Sequence, residues 1–294
     1  MPEESITGAR HEGAPLSLSL QSIFLRFKWR ISLTLSLVIL ETLLALLYPL
    51  FIGWAINGLL DDSFDGIYWL AGLGVASVLM GVARRFYDTR IYSHIYRIIT
   101  PEMVAREKAK GQPVSKIAAR SSLLTELVEF FENALPEVIE AIVGLVGVLI
   151  ILSTINLSVF LASLALLALV VIIYLFTGKL NYRLNAGYNN ELEHQVDAIR
   201  QADMRQVHRH FRRLMRWNIK LSDLETVTYL VLWMGVVGLF VYAPVAAIDG
   251  GIVDYGLIVA LLMYVFDFIE KVSALPLYVQ QLIRLKEIAN RISG

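Results

Sequence analysis

Apolar and polar positions along this chain come in blocks, and the blocks set its architecture. Residues 67–83 and 141–178 contain no Asp, Glu, Lys or Arg, and residues 31–57 contain one, Glu41. A helix needs about 20 apolar residues to cross the hydrocarbon of a bilayer. The pattern therefore predicts membrane-spanning helices at 31–57 and 67–85. The 38 uncharged residues of 141–178 cover about twice one crossing. Their only turn-like patch is Ser153-Thr154-Ile155-Asn156-Leu157-Ser158. This predicts two helices, 135–155 and 157–177, joined by a tight turn. One unbroken helix is the alternative, and it would leave apolar surface in water. Further apolar blocks predict helices at 225–248 and 255–276, the last interrupted by Asp267, Glu270 and Lys271. Pro49 and Pro244 are candidate kinks in the first and fifth helices. The expected fold class is an all-α integral membrane protein with six transmembrane helices.

Polar blocks separate the apolar ones. Residues 84–140 read as a helical hairpin that continues two spans, turning at Lys110-Gly111-Gln112-Pro113. Residues 179–223 read as a second, shorter excursion. The expected organisation is a tail with an interfacial helix at 1–30 and a membrane domain at 31–278. Polar excursions at 86–134 and 179–223 interrupt that domain, and an amphipathic helix follows at 279–294.

Charge then orients the chain. All 26 Lys and Arg residues lie within 1–30, 84–120, 179–220 and 271–294, and none lies in the short segments 58–66, 153–158 and 249–254. Lys and Arg collect on the cytoplasmic side of a membrane. Both termini and both excursions are therefore expected to be cytoplasmic, in the inner membrane, with three tiny outer loops. A soluble all-α protein would show no such partition. Composition agrees: 56% of residues are hydrophobic and 18% charged, with mean hydropathy +0.61, whereas soluble domains carry about 25% charged residues. The chain has no cysteine, which excludes disulfides and thiolate metal sites. A net charge of zero gives no support to a nucleic-acid partner. The first thirty residues are mostly polar and precede a long apolar run with no small-residue cleavage site after it, so no removable signal peptide is expected.

Two long excursions, tiny outer loops and six spans resemble the membrane domain of ATP-binding cassette (ABC) exporters. Gln112, Pro113, Val114 and Ser115 stand where that family places its first coupling helix. Residues 121–140, with Ala134-Leu135-Pro136, look like its return helix, and Ala289-Asn290-Arg291-Ile292 resembles the start of its linker to an ATPase domain. The resemblance implies a domain-swapped homodimer in which one copy supplies half of the pathway. It also implies a second coupling segment around Gln201, Ala202 and Asp203, and an ATPase subunit on another polypeptide. The sequence holds no Gly-x-x-x-x-Gly-Lys-[Ser/Thr] phosphate loop and no Leu-Ser-Gly-Gly-Gln signature. No nucleotide site, cofactor or catalytic residue is therefore expected within it. Membrane lipid is the other expected partner.

The candidate pathway residues are the ionisable and aromatic groups inside the spans. Glu41 lies about ten residues, roughly 15 Å, into the first helix, on one face with Thr34 and Tyr48. Arg84, Arg85 and Lys271 are expected to sit lower, so Glu41 is expected to be protonated or to face water and a cation. It could instead be a hydrogen-bonded structural group. Asp267 and Glu270 lie in the inner half of the last span, and Lys271 is spaced to pair with Asp267. Arg84, Arg85, Asp88, Glu137 and Glu140 read as a girdle of charge at the inner interface. His194, His208 and His210 do not share a helical face, and no metal site is assigned to them. Three function classes follow. They are an ABC-type transport subunit driven by a separate ATPase, a proton-driven transporter on the same scaffold, and an ion channel along a dimer axis.

Overall fold

A computed structural model describes residues 20–200 and 204–293, and every element in it is a helix. The order is α1 (Leu20–Leu60), α2 (Asp65–Ala109), α3 (Val114–Glu129), a π-helical turn (Phe130–Ala134) and α4 (Leu135–Ile155). Then follow α5 (Leu157–Glu193), α6 (Gln195–Arg200), α7 (Met204–Asp249) and α8 (Tyr255–Ser293). Five stretches are long and apolar enough to cross a membrane: Phe24–Leu60, Asp65–Ala109, Val114–Ile155, Leu157–Arg200 and Met204–Asp249. Between 11% and 33% of their most apolar windows is buried within the chain. Apolar side chains left outward on such helices suit lipid or a second apolar surface. The opening run of α8 is also apolar, but it carries Asp267, Glu270 and Lys271. The architecture thus has five to six long apolar helices.

The breaks fall where the turn residues stand. Gly111 takes the left-handed conformation (φ 69°) that ends α2, and Gln112 N–H closes back on Glu107 O at 3.2 Å. Pro113 then caps α3 in an extended conformation (φ −65°, ψ 148°). Asn156 splits the long uncharged run: its backbone is extended, and its side chain accepts from Val159 N–H at 3.0 Å. Its Nδ2 donates to Ala246 O at 3.0 Å, which ties the turn to α7. In α1, helical geometry lapses at Phe27 (φ −111°, ψ 17°). Pro49, Pro101, Pro244 and Pro276 all lie inside helices.

The π-helical turn has a local cause. Pro136 has no N–H to offer the carbonyl of Glu132, and its ring crowds that carbonyl. The helix widens just upstream, and Leu135 N–H reaches back to Phe130 O.

The chain divides into two compact units. One comprises residues 1–45, 74–143 and 275–294, the other residues 46–73 and 144–274. In the first, Ile31 of α1, Tyr92, Ile95 and Ile99 of α2, and Leu124 and Leu127 of α3 pack as one buried cluster. Arg26 clasps Glu102 with two hydrogen bonds of 2.6 and 2.9 Å, which hold the Glu102 carboxyl below the usual range. Further along the hairpin, burial would raise the Glu107 carboxyl. Lys110 at 3.1 Å and Arg120 at 2.6 Å more than offset this and keep it low.

In the second unit α5 lies along α7, with Trp217 over Gly187 and Leu166 against Gly235. Tyr264 of α8 is fully buried and donates to Leu46 O at 2.6 Å. At the other end of that contact α1 and α8 meet backbone to backbone. A Cβ on Gly53 would stand 2.6 Å from Gly256 O, and one on Gly256 would run into Gly53 O. Asn57 fastens the crossing: its Nδ2 donates to Asp254 Oδ1 at 2.6 Å, and its Oδ1 accepts from Gly256 N–H at 2.9 Å.

Candidate functional site

Within the first unit, α1 and α2 bring together three of the candidate residues. Arg84 donates through Nε to Glu41 Oε2 and through a terminal nitrogen to Asp88 Oδ2 at 3.3 Å. The side chains of Arg84, Glu41 and Asp88 are 17%, 33% and 6% exposed. Gly81, one turn before Arg84, leaves the room for this, since a Cβ there would stand 3.0 Å from Glu41 Oε1. The expectation that no basic residue reaches the level of Glu41 is therefore corrected. Counting rise along each helix ignored the length of an Arg side chain, which carries its charge several ångströms from its own Cα. Glu41 is an ion-paired carboxylate in this structure.

Deeper between the same helices lie three buried oxygens, Thr34 Oγ1, Asp88 Oδ1 and Tyr92 OH, with the Thr34 hydroxyl against both Asp88 and Tyr92. Thr34 is fully buried, and Tyr92 and Asp88 are nearly so.

Arg84, Arg85, Asp88, Glu137 and Glu140 line one cavity of about 370 Å³, together with Thr89, Glu132, Asn133 and Pro136. Two elements build it. Helix α2 supplies Arg84, Arg85, Asp88 and Thr89. The π-helical turn and the first two turns of α4 supply the rest. Gln281 of α8 donates to Glu137 Oε2 at 3.3 Å. The presence of Glu132 and Asn133 in this wall follows from the π-helical turn, which sequence reasoning missed; Pro136 was its signal.

The remaining candidates lie apart from this cluster. Tyr48 is half-buried on α1. Asp267 accepts from Lys271 Nζ at 2.7 Å, the pairing expected from their spacing, whereas Glu270 is exposed. The methylenes of Lys271 fill the space above Gly144, so that glycine makes room for a side chain. Gln112, Pro113, Val114 and Ser115 form the tip of the first hairpin, and Val114 is 81% exposed there. Gln201, Ala202 and Asp203 lie outside the described residues, and so do the side chains at Ala289–Ile292.

A second cavity, of about 360 Å³, was not anticipated. It is lined by His194, Asp197, Arg209, His210 and Arg213, among others. His210 is buried, and its Nδ1 lies 2.9 Å from Glu191 Oε1, which also accepts from Arg213 Nε at 3.1 Å. His208 points elsewhere, toward Arg212 at 3.4 Å. Among the described residues no three His, Cys, Asp or Glu side chains converge as metal ligands.

What this arrangement offers chemically is binding and charge pairing within a helical membrane scaffold. Comparison with known proteins gives that scaffold a name. No curated protein matches the sequence. The family profile described as ABC transporter transmembrane region matches residues 20–254. That match spans α1 through α7 and the turn after it, including the turn of the first hairpin and the break at Asn156. The chain is accordingly a multi-pass membrane protein and belongs to the ABC transporter transmembrane region family.

Proposed function

We propose that the chain is the transmembrane subunit of a transporter whose ATPase lies outside these 294 residues. The observation that carries this reading is the family match over long apolar helices that continue into a charged hairpin with an exposed tip. A partner seated on Gln112–Ser115 could bias the helices of that hairpin between two arrangements, because the hairpin is continuous with the spans. The working unit is a homodimer, with the pathway between protomers and both termini and both polar excursions in the cytoplasm. Six spans cross the inner membrane, the sixth being the first half of α8, where the Asp267–Lys271 pair lowers the cost of two of its three charges.

A photo-reactive residue at Ser115, in membranes of the native host, should capture a polypeptide that azido-ATP also labels. The chain alone, in liposomes loaded with the pH dye pyranine, should pass protons no faster than empty liposomes. A proton flux well above that background, abolished by Glu41→Gln, with no ATP-labelled adduct at Ser115, would replace this reading with proton-driven transport. The Glu41–Arg84 pair weighs against that outcome, since it gives Glu41 a partner within the chain.

Orientation is tested separately. In this cysteine-free chain, Ser63→Cys and Val253→Cys should react with an impermeant thiol reagent applied outside intact cells, and Ser115→Cys should not. Val253 is preferred to Gly251, whose φ of 82° suits glycine. Labelling of Ser115→Cys from outside would invert the topology.

A further inference from the structure

Helix α1 changes partners along its length. Its earlier part lies against α2 and α3: Phe27 and Ile31 share a buried cluster with Tyr92, Ile95, Leu124 and Leu127, and Glu41 meets Arg84. Its later part lies against α8: Leu46 O takes the Tyr264 hydroxyl, Gly53 meets Gly256, and Asn57 holds Asp254. The helix leaves the first compact unit after Ala45, where the second set of contacts begins. Pro49 stands at that change, inside a helix whose backbone angles stay helical through it. Helix α8 likewise carries Pro276 next to its own passage between the units, after Ala274.

Proline weakens a helix at a defined place. Pro49 has no N–H for Ala45 O, and its ring crowds that carbonyl, which loosens the adjoining rung from Leu50 N–H to Leu46 O. The Tyr264 hydroxyl is seated on that adjoining rung. It donates to Leu46 O at 2.6 Å, and Leu50 N–H donates to it from the other side. Tyr264 is fully buried, so bulk water does not compete for either group. A hydroxyl both donates and accepts, so one side chain of α8 closes the rung of α1 that Pro49 disturbs.

We propose that Pro49 is a hinge in α1 and that the Tyr264 hydroxyl is its lock. With the hydroxyl seated, the two parts of α1 move as one rod. When α8 withdraws it, Leu46 O and Leu50 N–H lose their bridge, and the two parts bend about residues 45–50. Tyr264 is a positioning residue, acting through the backbone of α1. Use of this bend in a transport cycle rests on the reading of the chain as a transport subunit; the lock itself does not.

The test is hydrogen–deuterium exchange of the purified full chain in detergent micelles, read by mass spectrometry. Tyr264→Phe keeps the buried ring and removes the hydroxyl. Exchange in residues 46–52 should quicken about fivefold, while residues 92–99 of α2 keep their rate. Pro49→Ala returns an N–H to Ala45 O and lets the helix close its own ladder. In that background Tyr264→Phe should quicken exchange by about twofold at most. Nitroxides on Leu33→Cys and Leu60→Cys, exposed positions either side of Pro49 and about 40 Å apart along the helix, give the bend itself. Their distance distribution should be broader with Tyr264→Phe than without it. The inference is overturned by unchanged exchange in 46–52, by equal quickening in 92–99, by undiminished quickening in the Pro49→Ala background, or by an unchanged distance distribution. None of these readings uses ATP or flux, so their failure leaves the azido-ATP result standing, and failure of that result leaves them readable.

Discussion

Gly256→Val should unfold the chain more readily than any other single substitution of a glycine in its apolar helices. The α1–α8 crossing leaves no volume for a side chain. The Cβ would run into Gly53 O and stand 2.8 Å from Asn57 Cγ, and the first of these is backbone that cannot rotate away. Overpacking of a close contact costs about 1–3 kcal/mol. Separation of the helices would also break the Asn57 bonds to Asp254 and to Gly256 N–H, at about 1 kcal/mol each. A total of about 3 kcal/mol or more is expected, read as a lower unfolding midpoint in mixed micelles. Gly74→Ala is the control. No atom lies within 4 Å of its added carbon, and replacing a mid-helix glycine should stabilise by about 0.5–1 kcal/mol. Equal destabilisation by the two variants would mean that the α1–α8 contact is not tight in the membrane.

The second large effect is an asymmetry within one ion cluster. Arg84→Leu removes the cation that Glu41 and Asp88 share. Asp88, 6% exposed on its side chain, then holds an uncompensated charge or must take up a proton. Breaking a buried pair by deleting one partner costs about 3–5 kcal/mol. The lower end applies, because Glu41 is one-third exposed and water screens it. Glu41→Gln should cost about 1 kcal/mol or less, since its amide oxygen still accepts from Arg84 and Arg84 keeps Asp88. Adding Glu41→Leu and Asp88→Leu to Arg84→Leu should recover most of the lost stability, because apolar replacement removes the stranded charge. Unfolding midpoints of the three variants in one detergent decide this. A Glu41→Gln cost equal to that of Arg84→Leu would show that Asp88 does not share the guanidinium.

How far these features were legible in the sequence depended on the range of the signal. Gly111, Pro113 and Asn156 act on their immediate neighbours, and the turns they predict are where the helices end. The i, i+4 pair of Asp267 and Lys271 is equally local. The Glu41–Arg84 pair spans 43 residues and two helices. It was lost because depth was reckoned from Cα positions, while the guanidinium sits at the end of a long side chain. The His210–Glu191–Arg213 network, with separations of 19 and 22 residues, has no periodicity to betray it. The members of the charged girdle could be named from their place at the ends of apolar runs. Which further residues would join them in one cavity wall could not, because that depends on a π-helical turn whose only trace in the sequence is Pro136.

That turn also sets a phase. One residue added to a helix rotates everything beyond it by about 100°. The five residues Phe130–Ala134 therefore act as an angular spacer between the spanning helix α4 and the hairpin arm α3. Deleting one of them would swing Gln112–Ser115 to a different bearing about the same axis. Insertions and deletions of a single residue here would re-aim the hairpin tip without altering one side chain in it, so the bearing of the tip can drift independently of its chemistry.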